Sequence, residues 1–463
     1  MGHRRRIKTR RQPKEVSLPE ELNRVNLNAA GIDIGARCLS VAVPRGRDAE
    51  GQDTRVFDTF IPDLRRLADW LEQCGVSTVA MESTGVYWIP VYELLEQRGF
   101  EVYLVDARKV KNVSGRKDDD EDAEWLQTLH TFGLLNSAFR PADAICVVRA
   151  YQRHRSMLVK ELARHIQHMH KALTQMGLQL HHVIRDITGV TGMQMVRCIV
   201  QGERDPKALA QHRDHRCKSS HGTIVKALEG NYRPEHVFSL KQAVELYDFH
   251  QDKIRDCDRE IEQQLAKFED RSNGKQLETR PRRRKGNEPD FDLRGYLFRL
   301  TGTDLTRVPG LDSYSVLQAV SETGIDTSSW RNGKKFTSWM GLSPNHRSSG
   351  GRIFKRGTQP NANRAATIFR LAARSVGRSS TALGAFYRRV KARQGAPKAI
   401  TATARKIALI YYSMLRYGTE YVELGQDWYE EQYRTRVVHN LERRAKSLGF
   451  QLVPVSELLA GSC

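Results

Sequence analysis

Four acidic residues in the N-terminal part of the chain have the types and the spacing that a divalent-metal nuclease needs. Asp33 lies in an alternating apolar run, residues 30–43, which predicts a strand and a tight turn. Glu82 ends a second apolar run, while Asp119 and Asp122 are three residues apart at the start of a predicted helix and share one of its faces. Two strand-borne and two helix-borne carboxylates can hold Mg²⁺ (or Mn²⁺), because these ions prefer oxygen ligands and bind substrate phosphates.

Each acid taken singly also has an ordinary structural explanation. An Asp after a strand is commonly a turn residue, and acids at a helix start favour the helix dipole. The four together, carried by an alternation of predicted strands and helices, indicate metal-dependent chemistry and an α/β fold.

The charge of the chain points to the same substrate. Its 75 Lys and Arg against 54 Asp and Glu give a formal net charge of +21, which suits binding to nucleic-acid phosphates and predicts strong salt dependence. Seven scattered cysteines without a CxxC pair predict a reduced, cytoplasmic protein. We find neither a secretory signal nor a run of membrane-spanning length, so no membrane partner is expected.

Several motifs closely resemble the DEDD-type transposases of the insertion sequence 110 family. In the N-terminal part they are Gly-Ile-Asp-Ile-Gly at 31–35, Met-Glu-Ser-Thr-Gly-Val-Tyr-Trp at 81–88, and 110–117 with the acids that follow. In the second half, motifs at 308–311, 336–344, 347–351 and 363–400 recur in the order of that family's C-terminal transposase domain. The resemblance covers most of residues 28–425.

The resemblance implies a RuvC-like, RNase H-type domain whose Mg²⁺ ligands and catalytic acids are Asp33, Glu82, Asp119 and Asp122. In the family's C-terminal domain the Ser directly before Gly is catalytic, which corresponds to Ser349 here and leaves Ser348 as its neighbour. A serine hydroxyl needs a metal, a base or both to attack a phosphodiester, and cations must offset the charge that develops.

The implied function is that of a DNA transposase, a recombinase that moves its own insertion sequence through a serine–phosphate bond. Family members are guided by a structured non-coding bridge RNA, so base pairing would choose the DNA sites. Four strand cleavages per exchange predict homodimers that assemble into a tetramer. The expected location is the bacterial cytoplasm, in association with the nucleoid.

Basic residues near these motifs are expected to bind nucleic acid. They are Arg116, Lys117, Arg347, Arg352, Lys355, Arg356 and Arg364. In the histidine-rich middle of the chain, RNA or phosphate contacts are expected from Arg153, Arg155, Lys160, Arg164 and Lys171. The segment 305–315 resembles a helix-hairpin-helix whose turn would present backbone N–H groups to phosphates, although Asp312 stands where a Gly is often found.

The predicted organisation has an α/β RuvC-like N-terminal domain, a helical coiled-coil middle and a mostly α C-terminal transposase domain. The boundaries are a basic arm at 1–27, the DEDD domain at 28–145, the helical region at 146–270, a basic linker at 271–295, the serine-containing domain at 296–425 and a helical tail at 426–463.

Two other functions are compatible with the sequence. A RuvC-like junction nuclease would use the carboxylates with water as the nucleophile and leave Ser349 structural. A non-catalytic nucleic-acid-binding protein would use only the positive charge.

Overall fold

The computed structural model describes residues 24–83, 85–105, 119–280, 287–345, 347–350, 352–355, 357–358 and 363–453. At 119–121, 347–348 and 353–355 it describes the backbone alone. The chain divides into two compact units, Met1–Arg140 and Pro141–Cys463.

A five-stranded mixed sheet forms the first unit, confirming the α/β prediction for the N-terminal part. The strands are β1 (Ala29–Ile34), β2 (Cys38–Ala42), β3 (Thr54–Asp58), β4 (Thr78–Glu82) and β5 (Glu101–Val105). They lie in the order β3-β2-β1-β4-β5. Neighbours are antiparallel from β3 to β1 and parallel from β1 to β5.

Alternation along the strands divides their side chains between two helical layers. Ala30, Ile32 and Ile34 of β1 belong to a buried core with residues of α1 (Ile61–Gln73) and α2 (Trp88–Gln97). The intervening residues of β1 point to the opposite face, which α3 (Asp119–Thr131) covers.

Two helices of 33 residues each, α4 (Asp143–Gln175) and α9 (Pro234–Ala266), dominate the first part of the second unit. They are antiparallel, since Arg155 contacts Asp258 whereas His165 contacts His250. Apolar residues of both helices, among them Leu162, Met169, Leu240 and Ile254, lie in one buried core with residues of the short helices that connect their ends, and the predicted helical character of this region is confirmed. A supercoiled geometry stays a prediction. The connecting helices are α5 (Leu180–Val183), α6 (Val190–Gln201), α7 (Pro206–Ala210) and α8 (His221–Ala227).

The rest of the second unit is mostly helical, as predicted. Its elements are α10 (Leu293–Thr301), a 3₁₀ helix (Leu305–Arg307), α11 (Ser313–Thr323), α12 (Gly333–Trp339), β6 (Arg347–Ser349), β7 (Arg352–Lys355), α13 (Arg364–Val376), α14 (Ala382–Gln394), α15 (Ala396–Tyr417) and α16 (Gly425–Ser447). Phe336, Phe369, Tyr411 and Tyr412 form its aromatic core. Of the helices that the structure describes, none is long and apolar enough to cross a membrane.

Candidate active site

The first two predicted acids lie side by side at the ends of two neighbouring strands. β1 and β4 are parallel, with Gly31 opposite Ala80 and Ile32 opposite Met81. The next residues along the two strands are Asp33 and Glu82, so adjacent strand ends about 4.8 Å apart carry them. Because opposite residues of parallel strands point to the same face, both carboxylates lie on the face that α3 covers.

The acidic start of α3 lies at the same end of the sheet. The last turns of the helix contact the beginning of β1, since Gln127 Nε2 donates to the Ala29 carbonyl and the Asn26 amide donates to the Thr131 carbonyl. One turn earlier, the Ala123 carbonyl lies against Gly31. The helix therefore runs opposite to β1, and its first turn points towards the end of the strand.

This direction brings the start of α3, where Asp119 and Asp122 lie, towards Asp33 and Glu82. The side chain of Asp119 is outside the described residues, whereas that of Asp122 is half-buried. A long-range strand pairing and the direction of one helix thus gather carboxylates that are far apart in sequence.

Gly31 allows α3 to approach the sheet. A Cβ atom at this position would lie 2.3 Å from both the Ala123 carbonyl oxygen and the Gln127 amide nitrogen, closer than atoms can pack. Both contacts are backbone atoms of the helix, which cannot rotate aside. Any larger residue at position 31 must therefore displace α3 and its acids.

A buried histidine anchors the other end of α3. The imidazole of His130 is 1% exposed, and its Nε2 lies 2.8 Å from the Thr78 hydroxyl at the start of β4. The Tyr103 ring packs against it, and Asn26 Nδ2 donates to its carbonyl. Desolvation lowers the pKa of His130, so the neutral ring is the form that the fold accommodates. Nothing in the sequence alone marked His130 as part of this support.

The strand-end pair suits a divalent cation in its chemistry, because carboxylate oxygens are the ligands that Mg²⁺ prefers. Within the part of the chain whose side chains are described, no group of three or more His, Cys, Asp or Glu residues could hold a metal ion. The predicted set is complete only with Asp119, whose side chain lies outside that part. Asp33 and Glu82 are therefore the two members of the predicted set that lie on adjacent strand ends.

The predicted nucleophile lies near the tip of a small hairpin in the second unit. β6 and β7 are antiparallel, with Ser349 opposite Arg352, and a bulge separates Arg347 from Ser348. Gly350 follows Ser349 with a φ of +55°, a left-handed conformation that favours glycine. The side chains of Ser349 and Arg352 are both exposed. The structure thus brings together an accessible hydroxyl and a guanidinium-bearing residue.

The other nucleic-acid contacts predicted near the motifs fall into three groups. Arg364 is an exposed residue in the first turn of α13. Arg116, Lys117 and Arg356 lie outside the described residues. For Arg347 and Lys355 the described backbone places both in the hairpin, opposite one another.

The helix-hairpin-helix prediction needs a correction at its turn. Asp312 is the N-cap of α11, where its carboxylate accepts a hydrogen bond from the Ser315 amide and the Ser315 hydroxyl completes a capping box. The amide of Ser315 at this helix start is therefore already hydrogen-bonded within the protein. Gly310 instead serves packing, since a Cβ there would lie 2.6 Å from the Ala372 carbonyl of α13.

The expected nucleic-acid role of Arg155 is also wrong. Arg155 is 1% exposed and forms a buried ion pair with Asp258, with its Nε 2.5 Å from the carboxylate and its guanidinium over the Tyr314 ring. Its neighbour Arg153 pairs with Glu322 of α11. These arginines join α4 to α9 and α11, which composition alone does not distinguish from phosphate binding.

Two family models match the chain. A model of DEDD-type insertion sequence 110 proteins, described as a transposase, matches residues 30–177. A second, described as the transposase IS116/IS110/IS902 family, matches residues 302–388. The first match contains all four predicted acids and the second contains Ser349. No curated protein matches the chain significantly.

Proposed function

The chain belongs to the insertion sequence 110 family of transposases, and we propose that it cuts and rejoins DNA through a covalent bond between Ser349 and a DNA phosphate. The observation that carries the proposal is the hairpin, where Ser349 is exposed directly opposite Arg352. A nucleophile that attacks a bulky DNA backbone has to be accessible. The positive charge of Arg352 would offset the charge that develops on the attacked phosphate.

In the proposed reaction, cleavage and rejoining each break one phosphoester bond and form another. Oγ of Ser349 attacks the phosphorus and gives up its proton to a base, while the bond from phosphorus to one DNA ester oxygen breaks. The leaving oxygen takes up a proton and becomes a free DNA hydroxyl. In the rejoining step a hydroxyl of another strand attacks the phosphoserine and releases Ser349. One phosphoester replaces another, so no high-energy cofactor is needed.

Asp33, Glu82, Asp119 and Asp122 would hold Mg²⁺ or Mn²⁺. When bound, the ion would polarise phosphate oxygens and help orient the substrate. The support for this set is the pairing of β1 with β4 and the direction of α3. The RuvC-like, RNase H-type character of the first unit belongs to the same proposal.

A structured guide RNA and an assembly of dimers into a tetramer complete the proposed function. Base pairing with the RNA would choose the DNA sites, and the protein would contact backbone and shape. RNA that copurifies with the protein, folds into a defined structure and is required for strand exchange would support this part. Recombination by RNA-free protein would contradict it.

The decisive experiment looks for the covalent intermediate. In a stalled reaction with DNA ends of the element, the wild-type protein should give a DNA-linked band on a denaturing gel, and Ser349→Ala should give none. Ser348→Ala is the matched control, because Ser348 lies in the same strand β6. Loss of the band in Ser348→Ala alone would move the nucleophile by one residue. Free DNA ends in both variants would instead identify water as the nucleophile and support the junction-nuclease alternative.

The carboxylates are tested by substitutions that keep their shape. Asp33→Asn and Glu82→Gln should abolish strand exchange while thermal unfolding and RNA binding stay at the wild-type level. Undiminished recombination in either variant would contradict the proposed metal site, but would leave the serine proposal standing.

A further inference from the structure

A small cavity in the second unit is lined by aromatic side chains. It lies between α14, α15, the segment 421–424 and the start of α16, and its volume is about 290 Å³. This is close to the lower end of the range for small-molecule sites, about 300–1,000 Å³, so the cavity suits one small ring system. Its principal lining residues are Leu383, Phe386, Ile410, Tyr421, Trp428 and Tyr429.

The rings are open to an incoming ligand. Trp428 is 43% exposed, and Phe386, Tyr421 and Tyr429 are half-buried. Phe386 and Tyr429 meet edge to face, with their ring centroids 6.2 Å apart. The edge-to-face contact covers part of these two rings, whereas the Trp428 ring keeps exposed π-surface on which a flat ligand can stack.

A lysine supplies the polar group of the cavity. Lys406 is exposed, and its Nζ lies 4.3 Å from the centroid of the Phe386 ring. Within the described part of the chain, this ammonium has no carboxylate or carbonyl partner. Burial and the positive charge of Arg436 both lower the pKa of Lys406, while Glu423 accepts hydrogen bonds from two other lining residues, through the Tyr421 hydroxyl and the Ala382 amide. An acceptor on a ligand would satisfy the ammonium.

We propose that this cavity receives one unstacked nucleobase of a single-stranded nucleic acid. Every base has a flat face for stacking on the exposed rings, and ring nitrogens or carbonyl oxygens that can accept a hydrogen bond from Lys406. Arg436 is exposed and acts electrostatically on Lys406, and a phosphate next to the base would be attracted to this charge. The inference rests on the proposed function, because strand exchange and guide pairing both expose unpaired bases.

The test uses photocrosslinking of the full-length protein. One probe is a short single-stranded DNA with 4-thiothymidine at one position, and the other is the matching RNA with 4-thiouridine. Mass spectrometry should locate crosslinks on Phe386, Trp428 or Tyr429. A crosslink with DNA alone would identify a substrate strand, with RNA alone a guide strand, and either result supports a nucleobase site.

Matched variants separate the cavity from general charge. Lys406→Met should lower the crosslink yield severalfold, whereas Lys398→Met removes the same charge from an exposed position of the same helix and should leave it unchanged. Tyr429→Ala should weaken single-strand affinity about tenfold, the size expected for one lost stacking contact. Circular dichroism should show wild-type helix content in all three variants.

The inference is overturned if the crosslinks of the wild-type protein lie only elsewhere in the chain, or if both lysine variants lower the yield equally. In that case an aromatic side chain of a protein becomes the better occupant. If the Ser349–DNA adduct forms while cavity crosslinks do not, only this inference fails. If the element's DNA ends give no Ser349 adduct and the probes give no cavity crosslink, the proposed function fails as well.

Discussion

Replacing Gly31 by alanine places a methyl group where α3 touches the sheet. The added Cβ would lie 2.3 Å from two backbone atoms of the helix, where ordinary contact begins at 3.4 Å, so α3 must retreat by about 1 Å. Overpacking of this kind typically costs about 1–3 kcal/mol of unfolding free energy. Lower chain entropy of alanine in the unfolded state offsets about 0.5–1 kcal/mol of that loss. We expect a modest net destabilisation.

The effect on activity should exceed the effect on stability. The retreat separates the start of α3 from Asp33 and Glu82, and a misplacement of about 1 Å in a catalytic arrangement can lower a rate by about 100-fold. Strand exchange by Gly31→Ala should therefore fall by about two orders of magnitude at a temperature where the protein remains folded. Part of the activity should return at high Mg²⁺ concentration if the carboxylates hold metal.

The assay measures recombination of a donor and a target plasmid beside thermal unfolding. Gly222→Ala is the control, because a Cβ at that helical glycine meets no atom within 4 Å; it should leave recombination unchanged and raise the unfolding free energy by at most about 1 kcal/mol. Wild-type recombination by a destabilised Gly31→Ala protein would show that α3 does not position catalytic groups. Wild-type stability together with wild-type recombination would refute the packing argument itself.

Three further changes test other parts of the molecule. Asp258→Ala should cost about 3–5 kcal/mol of unfolding free energy, because it leaves the buried Arg155 guanidinium unpaired. Glu161→Ala, which breaks the exposed pair with Arg164, should cost less than about 1 kcal/mol. Equal losses in the two variants would contradict the burial argument. Because its folded-state pKa is lowered, His130 binds a proton more readily in the unfolded chain than in the folded one. Its contribution to stability is therefore present above pH 6.5 and is lost as the pH falls below that value. His130→Gln should flatten this part of the curve of unfolding free energy against pH, and a slope equal to that of the wild type would contradict the argument. Affinity for duplex DNA should fall with salt at a slope of roughly −0.9 per phosphate contact, and a flat dependence would contradict phosphate binding by the basic residues.

Local patterns predicted the elements of this fold better than their roles. Alternation around Asp33 predicted β1, because that signal lies within a few consecutive residues. The adjacency of Asp33 and Glu82 needs β1 to pair with β4 across β2, β3 and α1, which no local pattern specifies. The family resemblance, not periodicity, grouped these acids before the structure did.

Charged residues were the least predictable, because their partners come from distant segments. Arg155 is one of several arginines and lysines on α4, yet only the approach of α9 and Tyr314 makes it a buried structural residue. Asp312 is a different case, because its partner Ser315 is three residues away and the capping box is a local signal. In both cases the partner of the charged side chain lies within the protein.

The hydrophobic core of the first unit also fixes the orientation of its acids. Side chains alternate along β1, so a register slip of one residue would turn Asp33 from the α3 face into the core with α1 and α2. The burial of Ala30 and Ile32 at 0% exposure opposes that slip, because it would bring both to the other face. Gly31 sits between them and permits only a close helix on its own side. The three consecutive residues 30–32 therefore set both the direction of the Asp33 carboxylate and the distance to the helix that carries Asp119 and Asp122.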